Sequence, residues 1–361
     1  MTYKRIHNFN AGPAALPIEV LEEIKTDLID YKGNGLSVLE MSHRSKAYDE
    51  IIKNAEKDMR ELLGIPDNYT VMFLQGGATL QFAMVPLNLL PDNKPADYIN
   101  TGTWSTKAIE EAQKLGKTPR VIASSEDKEF TYIPKNFTIN KDSAYLHITS
   151  NNTIRGTEWQ SFPETNGIDL VCDMSSDFCS RPVDVKKFAL IYAGAQKNVG
   201  PAGATVVIIR NDLLERSPKN IPTMCNYKIM AKEPSLYNTP PAFTIYVIGL
   251  VMKYLKKIGG LEKMYEMNKA KAKILYDRLD KNDFYRGTVE KDSRSLMNIP
   301  FRLKNEQLEE KFLKEAKAAG MEGLKGHRSV GGVRASLYNA VPKESVQALV
   351  NFMDEFEKKN S

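Results

Sequence analysis

The 361-residue chain has little of what disulfide, metal or membrane chemistry requires. Cysteine occurs three times, at Cys172, Cys179 and Cys225, and never as a CxxC pair. An odd, low count builds no disulfide frame and fits a reducing compartment. The four histidines, His7, His43, His147 and His327, are scattered without zinc-ligand spacing, so no metal is expected. Long apolar runs are missing too. The best one, PAFTIYVIGLVMKYL, is cut by Lys253 and is too short to span a bilayer. The opening MTYKRIHNFNAGPAALP lacks the apolar stretch of a signal peptide, which leaves a cytoplasmic location as the expectation. The net charge of +5 comes from lysines interleaved with glutamates, with no basic block between aromatics, so nucleic acid is not an expected partner. No GxGxxG follows a strand. LGKT at 115–118 ends like a nucleotide loop, but Glu111 stands where its first glycine belongs, and the segment reads as a helix end.

What remains is an ordinary globular composition, 42% hydrophobic and 26% charged. The length exceeds one ordinary core and predicts two domains. Short apolar runs (YTVMFLQ, ADYINT, RVIA, SAYLHIT, GIDLVCD, FALIYAG, ATVVIIR) alternate with longer amphipathic ones. Several are apolar on both faces, as strands buried between helix layers are. This predicts an α/β fold with a mostly parallel, mixed seven-stranded sheet between helices. SKAYDEIIKNAEKDMRELLG reads as a helix with Ser45 as N-cap and Gly64 as its stop. After about residue 258 the rhythm becomes helix, strand, helix, strand, helix, a small α+β unit. Gly320 marks the end of one of its helices.

Two strand ends carry the chemistry. FALIYAG runs into AQKNVGPAG, so Lys197 ends a buried strand beside a turn of small residues that leaves room for a flat group. Asp173 ends the strand GIDLVCD. Taken singly, each reads as a loop charge or a turn residue. Together in one sheet they suit pyridoxal phosphate, whose aldehyde takes a lysine and whose ring nitrogen needs a carboxylate. The strand, Gly76-Gly77 turn and helix of TVMFLQGGATLQF offer free N–H groups, including those of Ala78 and Thr79, for a phosphate. Trp104, at the start of a helix, can stack on a ring. Thr153, after SAYLHIT, can hydrogen-bond the ring hydroxyl.

GGATLQF, TGTWS, NNTIRGTEW, CDMSS, YAGAQKNVGPAG, LYNTPPAF and LKGHRSVGGVRASLYNA occur in this order, with NFNAGPAALP and EMSHRS near the N-terminus. In these motifs, along essentially its whole length, the chain resembles the phosphoserine aminotransferases, class V members of the fold-type I pyridoxal-phosphate enzymes. The resemblance implies a homodimer with active sites at the subunit interface. It implies transfer of an amino group from L-glutamate to 3-phosphohydroxypyruvate, giving O-phosphoserine and 2-oxoglutarate. Ala78, Thr79, Trp104, Thr153, Asp173 and Gln196 match cofactor contacts, and Lys197 matches the Schiff-base lysine. Asn238 and Thr239 match residues that reach the cofactor phosphate from the partner subunit. Arg334 matches the clamp on the α-carboxylate; His43, Arg44, His327 and Arg328 match the pocket for the distal anion. Arg155 receives no role, and Asn152 stands where the family often has glutamate. The expected division is a large cofactor-binding domain over residues 16–258 and a small α+β domain from 1–15 and 259–361.

The substrates support the same pattern. Each carries an α-carboxylate and a second anion a few bonds away, carboxylate in glutamate and phosphate in phosphoserine. Arginine binds either in bidentate fashion and never deprotonates. GHRSVGGVRAS and EMSHRS each supply a His-Arg pair. The rival readings are another class V enzyme, such as an alanine–glyoxylate aminotransferase or a cysteine desulfurase, and a non-catalytic phosphate-binding α/β protein. A small-substrate aminotransferase has no need of two His-Arg pairs, and none of the cysteines sits in a recognisable catalytic loop.

Overall fold

The computed structural model describes residues 5–361. Its strands are β1 (His7–Asn8), β2 (Tyr69–Leu74), β3 (Ala96–Asn100), β4 (Pro119–Ser124), β5 (Leu146–Thr149), β6 (Leu170–Asp173), β7 (Leu190–Gly194), β8 (Thr205–Arg210), β9 (Arg286–Gly287), β10 (Asn298–Arg302), β11 (Met321–Glu322) and β12 (Val333–Ser336). The α-helices are α1 (Ile18–Asp27), α2 (Lys46–Leu63), α3 (Gly77–Leu89), α4 (Thr103–Lys114), α5 (Asn211–Leu214), α6 (Tyr227–Lys232), α7 (Ala242–Lys257), α8 (Gly260–Leu279), α9 (Glu306–Ala318) and α10 (Lys343–Asn360).

The seven apolar runs are the strands of one sheet, in the order β2-β8-β7-β6-β5-β3-β4. Only β8 runs against its neighbours, β2 on one side and β7 on the other. The carboxyl ends of β2, β3, β5, β6 and β7 therefore share one edge, where open α/β sheets bind ligands. Side chains alternate across the sheet. Val71, Phe73, Leu170, Cys172, Ile191 and Ala193 join the core beneath α2 and α7. Met72, Leu74, Val171, Leu190 and Tyr192 join the opposite core with residues of α3, α4 and α6. Burial on both faces explains why these strands lack a polar alternation.

The helix ends follow their sequence signals. The Ser45 side chain accepts the Tyr48 N–H at 3.2 Å and caps α2, and Gly64 (φ 60°) closes it in the left-handed region. At the end of α9, Gly320 (φ 81°) follows the capping Ala319. LGKT begins at Leu115, the C-cap of α4, and forms the turn that follows it, in keeping with the expected helix end. The 233–241 segment is the loop between α6 and α7.

The C-terminal part has its own sheet, β12-β10-β9, and its own core, which includes Phe9 from the N-terminal segment. The β1 strand pairs with β11, tying that segment to the small sheet's side of the molecule. Helix α8 serves both regions. Leu261 and Met264 lie in the core beneath α7, and Ala272, Leu275 and Leu279 in the small core.

Candidate active site

Lys197 lies in the turn between β7 and β8 and is 9% exposed. Its Nζ donates to Thr153 Oγ1 at 2.8 Å and stands 5.9 Å from the Trp104 ring centroid. Burial pushes the amine down to about 8; the Asp173 carboxylate pulls it up and the Arg334 guanidinium pushes it further down. The neutral, nucleophilic form is thus accessible near neutral pH. The N-terminal segment covers this turn: Ala14 N–H donates to the Gln196 carbonyl at 2.9 Å, and Gly12 approaches the Lys197 stem.

Asp173 ends β6 opposite Thr149 of β5 and Tyr192 of β7. It is 4% exposed, and its Oδ1 accepts the Ser175 N–H at 2.9 Å. Burial raises its pKa, against the pull of Ser175 and of Lys197. Thr153 links two cations, for its carbonyl also accepts Arg334 Nη1 at 3.1 Å. Arg334 comes from β12, so one threonine joins the large sheet's edge to the small sheet. Asn152 closes the same loop by donating to Thr101 Oγ1 and Thr157 Oγ1, both at 3.0 Å.

Two helices start at this edge. The N-terminus of α3 has no side-chain cap and no acidic residue in its first turn. The amides of Gly77, Ala78 and Thr79 precede any intrahelical acceptor and remain free for an anion. Gly76 (φ 87°) makes the turn; a Cβ there would meet Leu80 at 2.4 Å. Trp104 is the second residue of α4, half-buried, with its buried indole N–H unpartnered. Lys107 lies three residues on, 4.9 Å from the Trp104 centroid, and its charge reaches His327. Sequence reasoning missed Lys107, although its helical spacing from Trp104 was a usable signal. It also missed Ser175, which no pattern distinguishes before the fold is known.

The anion-binding candidates fall into two groups. His327, Arg328 and Arg334 lie together: the two arginines and Lys107 add to burial in lowering the His327 pKa, and His327 Nδ1 shares a hydrogen bond with Ser329 Oγ at 2.7 Å. His43 and Arg44 are elsewhere. They line a cavity of about 590 Å³ with Asp49, Glu233, Leu236 and Tyr237. Asn238 and Thr239 sit beside their own chain's phosphate turn, since Asn238 Nδ2 donates to Gln75 Oε1 (3.0 Å) and Gln75 Nε2 to the Thr239 carbonyl (2.8 Å). Among the described residues, Arg44, Arg328 and Arg334 form no ion pair, as is also true of Arg5 and Arg286, whereas Arg60, Arg120, Arg155, Arg181, Arg210, Arg216, Arg278, Arg294 and Arg302 all do. Arg334 also keeps a buried Nε without a partner. Arg334, whose charge acts on the buried Lys197 amine, is thus prepared for an anion that a ligand brings.

This edge fits pyridoxal phosphate on its own terms. It offers a depressed buried amine, a buried carboxylate one strand away, a half-buried aromatic face and an uncapped helix start. The chain belongs to the class-V aminotransferases: the family model described as Aminotransferase class-V matches residues 6–349. Its relatives within that family are phosphoserine aminotransferases. It is 60% identical to that of Desulfosudis oleivorans, over 99% of each chain. It is 55% identical to that of Geobacillus kaustophilus, again over 99% of each. The solved phosphoserine aminotransferase from Bacillus circulans subsp. alkalophilus matches with a TM-score of 0.98 at 50% identity, covering 99% of this chain and 100% of that one. An alanine–glyoxylate aminotransferase from Nostoc, 16% identical with a TM-score of 0.79, shares the fold alone.

Proposed function

We propose that this chain carries out phosphoserine transamination with pyridoxal phosphate as cofactor, moving the amino group of L-glutamate to 3-phosphohydroxypyruvate. O-phosphoserine and 2-oxoglutarate are the products, which places the reaction in serine biosynthesis. The observation that carries this is Lys197, a buried strand-end amine depressed to about 8 beside Asp173.

Lys197 would hold the cofactor covalently, with Trp104 against the ring and Asp173 on its nitrogen. Thr153 and Gln196 would flank the ring, and Ala78 and Thr79 would hold the phosphate by their N–H groups. Bound there, pyridoxal phosphate supplies a carbonyl that accepts the amino group and a ring that withdraws electrons from the substrate α-carbon. Arg334 binds the α-carboxylate common to both substrates. With the cofactor bound, the freed Lys197 amine would take the proton from the substrate α-carbon as base and deliver it, as acid, to the cofactor's former aldehyde carbon. His43, Arg44, His327 and Arg328 bind the distal carboxylate or phosphate. Glutamate enters and 2-oxoglutarate leaves before the phosphorylated keto acid binds, a ping-pong order.

The reading includes a homodimer in which His43, Arg44, Asn238 and Thr239 serve the neighbouring site. Large apolar side chains lie exposed on or beside these segments: Leu36, Leu39, Met224 and Tyr237. Such a patch is what an obligate interface covers. We also read residues 16–258 as the cofactor-holding domain, with 1–15 and 259–361 as the small domain. A cytoplasmic location rests on free cysteines, Cys172 and Cys179 being buried. Among the described residues no helix is long and apolar enough to cross a membrane.

Borohydride reduction followed by peptide mass mapping tests the assignment: the adduct is expected on Lys197, and an unlabelled Lys197 in vitamin-supplied protein overturns it. Mixing Lys197→Ala and Arg44→Ala subunits tests the dimer. Restored activity is expected, because one of the two sites in a mixed dimer would be intact; no restoration rules out exchange of Arg44 across an interface.

A further inference from the structure

A second lysine is buried as deeply as Lys197 and has no place in the mechanism so far. Lys271, in the middle of α8, is 2% exposed. Its Nζ donates to three consecutive carbonyls, those of Leu337 (3.2 Å), Tyr338 (2.9 Å) and Asn339 (3.3 Å). An ammonium has three protons and meets three acceptors, so the charged form is fully used; a neutral amine has only two to give. Burial pushes this amine down to about 7.

The clamped turn stands between the two halves of the site. It directly follows β12, which carries Arg334. Asn339 N–H donates to Asn198 Oδ1 at 3.0 Å, and Asn198 is the neighbour of Lys197. Asn339 Nδ2 donates to the Cys179 carbonyl at 2.8 Å, and Asn268, one turn before Lys271 on α8, donates to the Ser180 carbonyl and to Asn339 Oδ1. Tyr338 OH donates to the Ala11 carbonyl at 2.9 Å, in the segment that covers the Lys197 turn. The Asn339 N–H and the Tyr338 hydroxyl thus reach segments that border Lys197, and Lys271 holds the turn's own carbonyls together.

We infer that Lys271 is a positioning residue of the reaction: by clamping the turn at 337–339 it fixes the distance between the Arg334 guanidinium and the Lys197 amine. The inference rests on the roles proposed above for Lys197 and Arg334. A substrate held by its α-carboxylate presents its α-carbon to Lys197 at a distance set by this turn. Loosening it leaves binding largely intact and misplaces the proton transfer.

The test is the holoenzyme of Lys271→Met, which keeps the length and removes the donors. Single-turnover kcat is expected to fall roughly tenfold for glutamate and phosphoserine alike, while substrate affinity, from absorbance titration, changes less than about twofold. The pH midpoint of the bound cofactor's absorbance shifts as well, because Lys197 moves against its neighbours. A lowered melting temperature with kcat and midpoint both unchanged overturns the inference, for that is all a purely structural lysine would do. Asn198→Ala, which cuts the link on the other side, must give the same split, and the double variant must be no slower than the worse single one. Additive losses overturn the inference, and normal kinetics in Asn198→Ala overturn it even where Lys271→Met does not fold. The wild-type enzyme is the control: no transamination by it sinks the reading of Lys197 itself, not the role of Lys271.

Discussion

Lys197 and Arg44 would act on opposite ends of the same substrate, yet the chain holds them by different means. Lys197 is walled in: a threonine hydroxyl, an indole face, a buried aspartate and the N-terminal segment all surround it. Arg44 stands exposed on an open cavity, without a hydrogen bond or ion pair to its side chain among the described residues. The surroundings of Lys197 are set by one chain folding alone, because Lys197 and Asp173 sit at strand ends whose positions the sheet fixes. The anion face is left unfinished, since its cations sit on loops that no sheet constrains. A preorganised corner keeps its electrostatics before any ligand arrives. In the proposed homodimer, the second subunit would complete that face.

Substitutions can sharpen this contrast. Lys197→Ala should have the largest effect, a loss on the order of 10⁴-fold in single-turnover transamination from glutamate; normal turnover would end the assignment. Arg334→Ala comes next. It should cost on the order of 10²-fold in kcat/KM for every substrate, alanine included, because all carry the α-carboxylate. Arg44→Ala should cost roughly tenfold for glutamate and phosphoserine and leave alanine nearly untouched. An equal loss for alanine would contradict the distal-anion role.

The next effect is a pH dependence. Cofactor capture by the apo-protein needs the neutral Lys197 amine, whose pKa is depressed to about 8. The capture rate should therefore rise with pH, reach half its maximum near about 8, and level off above that, rather than climbing toward the 10.5 of a free lysine. Asp173→Asn removes the carboxylate that raises this pKa, so the midpoint should move down. A midpoint that stayed or rose would show that Asp173 does not act on Lys197. The smallest effect belongs to the anion face: Ser45→Ala removes the cap of α2 next to Arg44 and should cost ~1 kcal/mol of stability, read as a lowered melting temperature.

Most of the strands were legible because several runs apolar on both faces can only be buried between two layers, although β4 at the sheet edge is only partly buried. The α2 boundaries were legible from Ser45 and Gly64, whose cap chemistry is local. The two-residue strands β1, β9 and β11 were not, since so short a segment has no period and exists only through its partner. Nor was the double service of α8, whose apolar residues look alike whether they face one core or two. Lys271 sat unremarked in KAKAKILY because an interior lysine in an amphipathic helix reads as solvated. Only the packing of α8 against the turn after β12 buries it.

The sequence by itself determined the chemistry at Lys197, because a lysine, an aspartate and a Gly-Gly turn each fall at a strand end, and strand ends of a parallel sheet converge by geometry. Tertiary structure alone decided which cations have partners, how far the Lys197 amine is depressed, and that His43 and Arg44 stand apart from His327 and Arg328. Those properties depend on distance and burial among residues remote in the chain, and the Coulomb and desolvation energies that set them are not encoded in any local pattern.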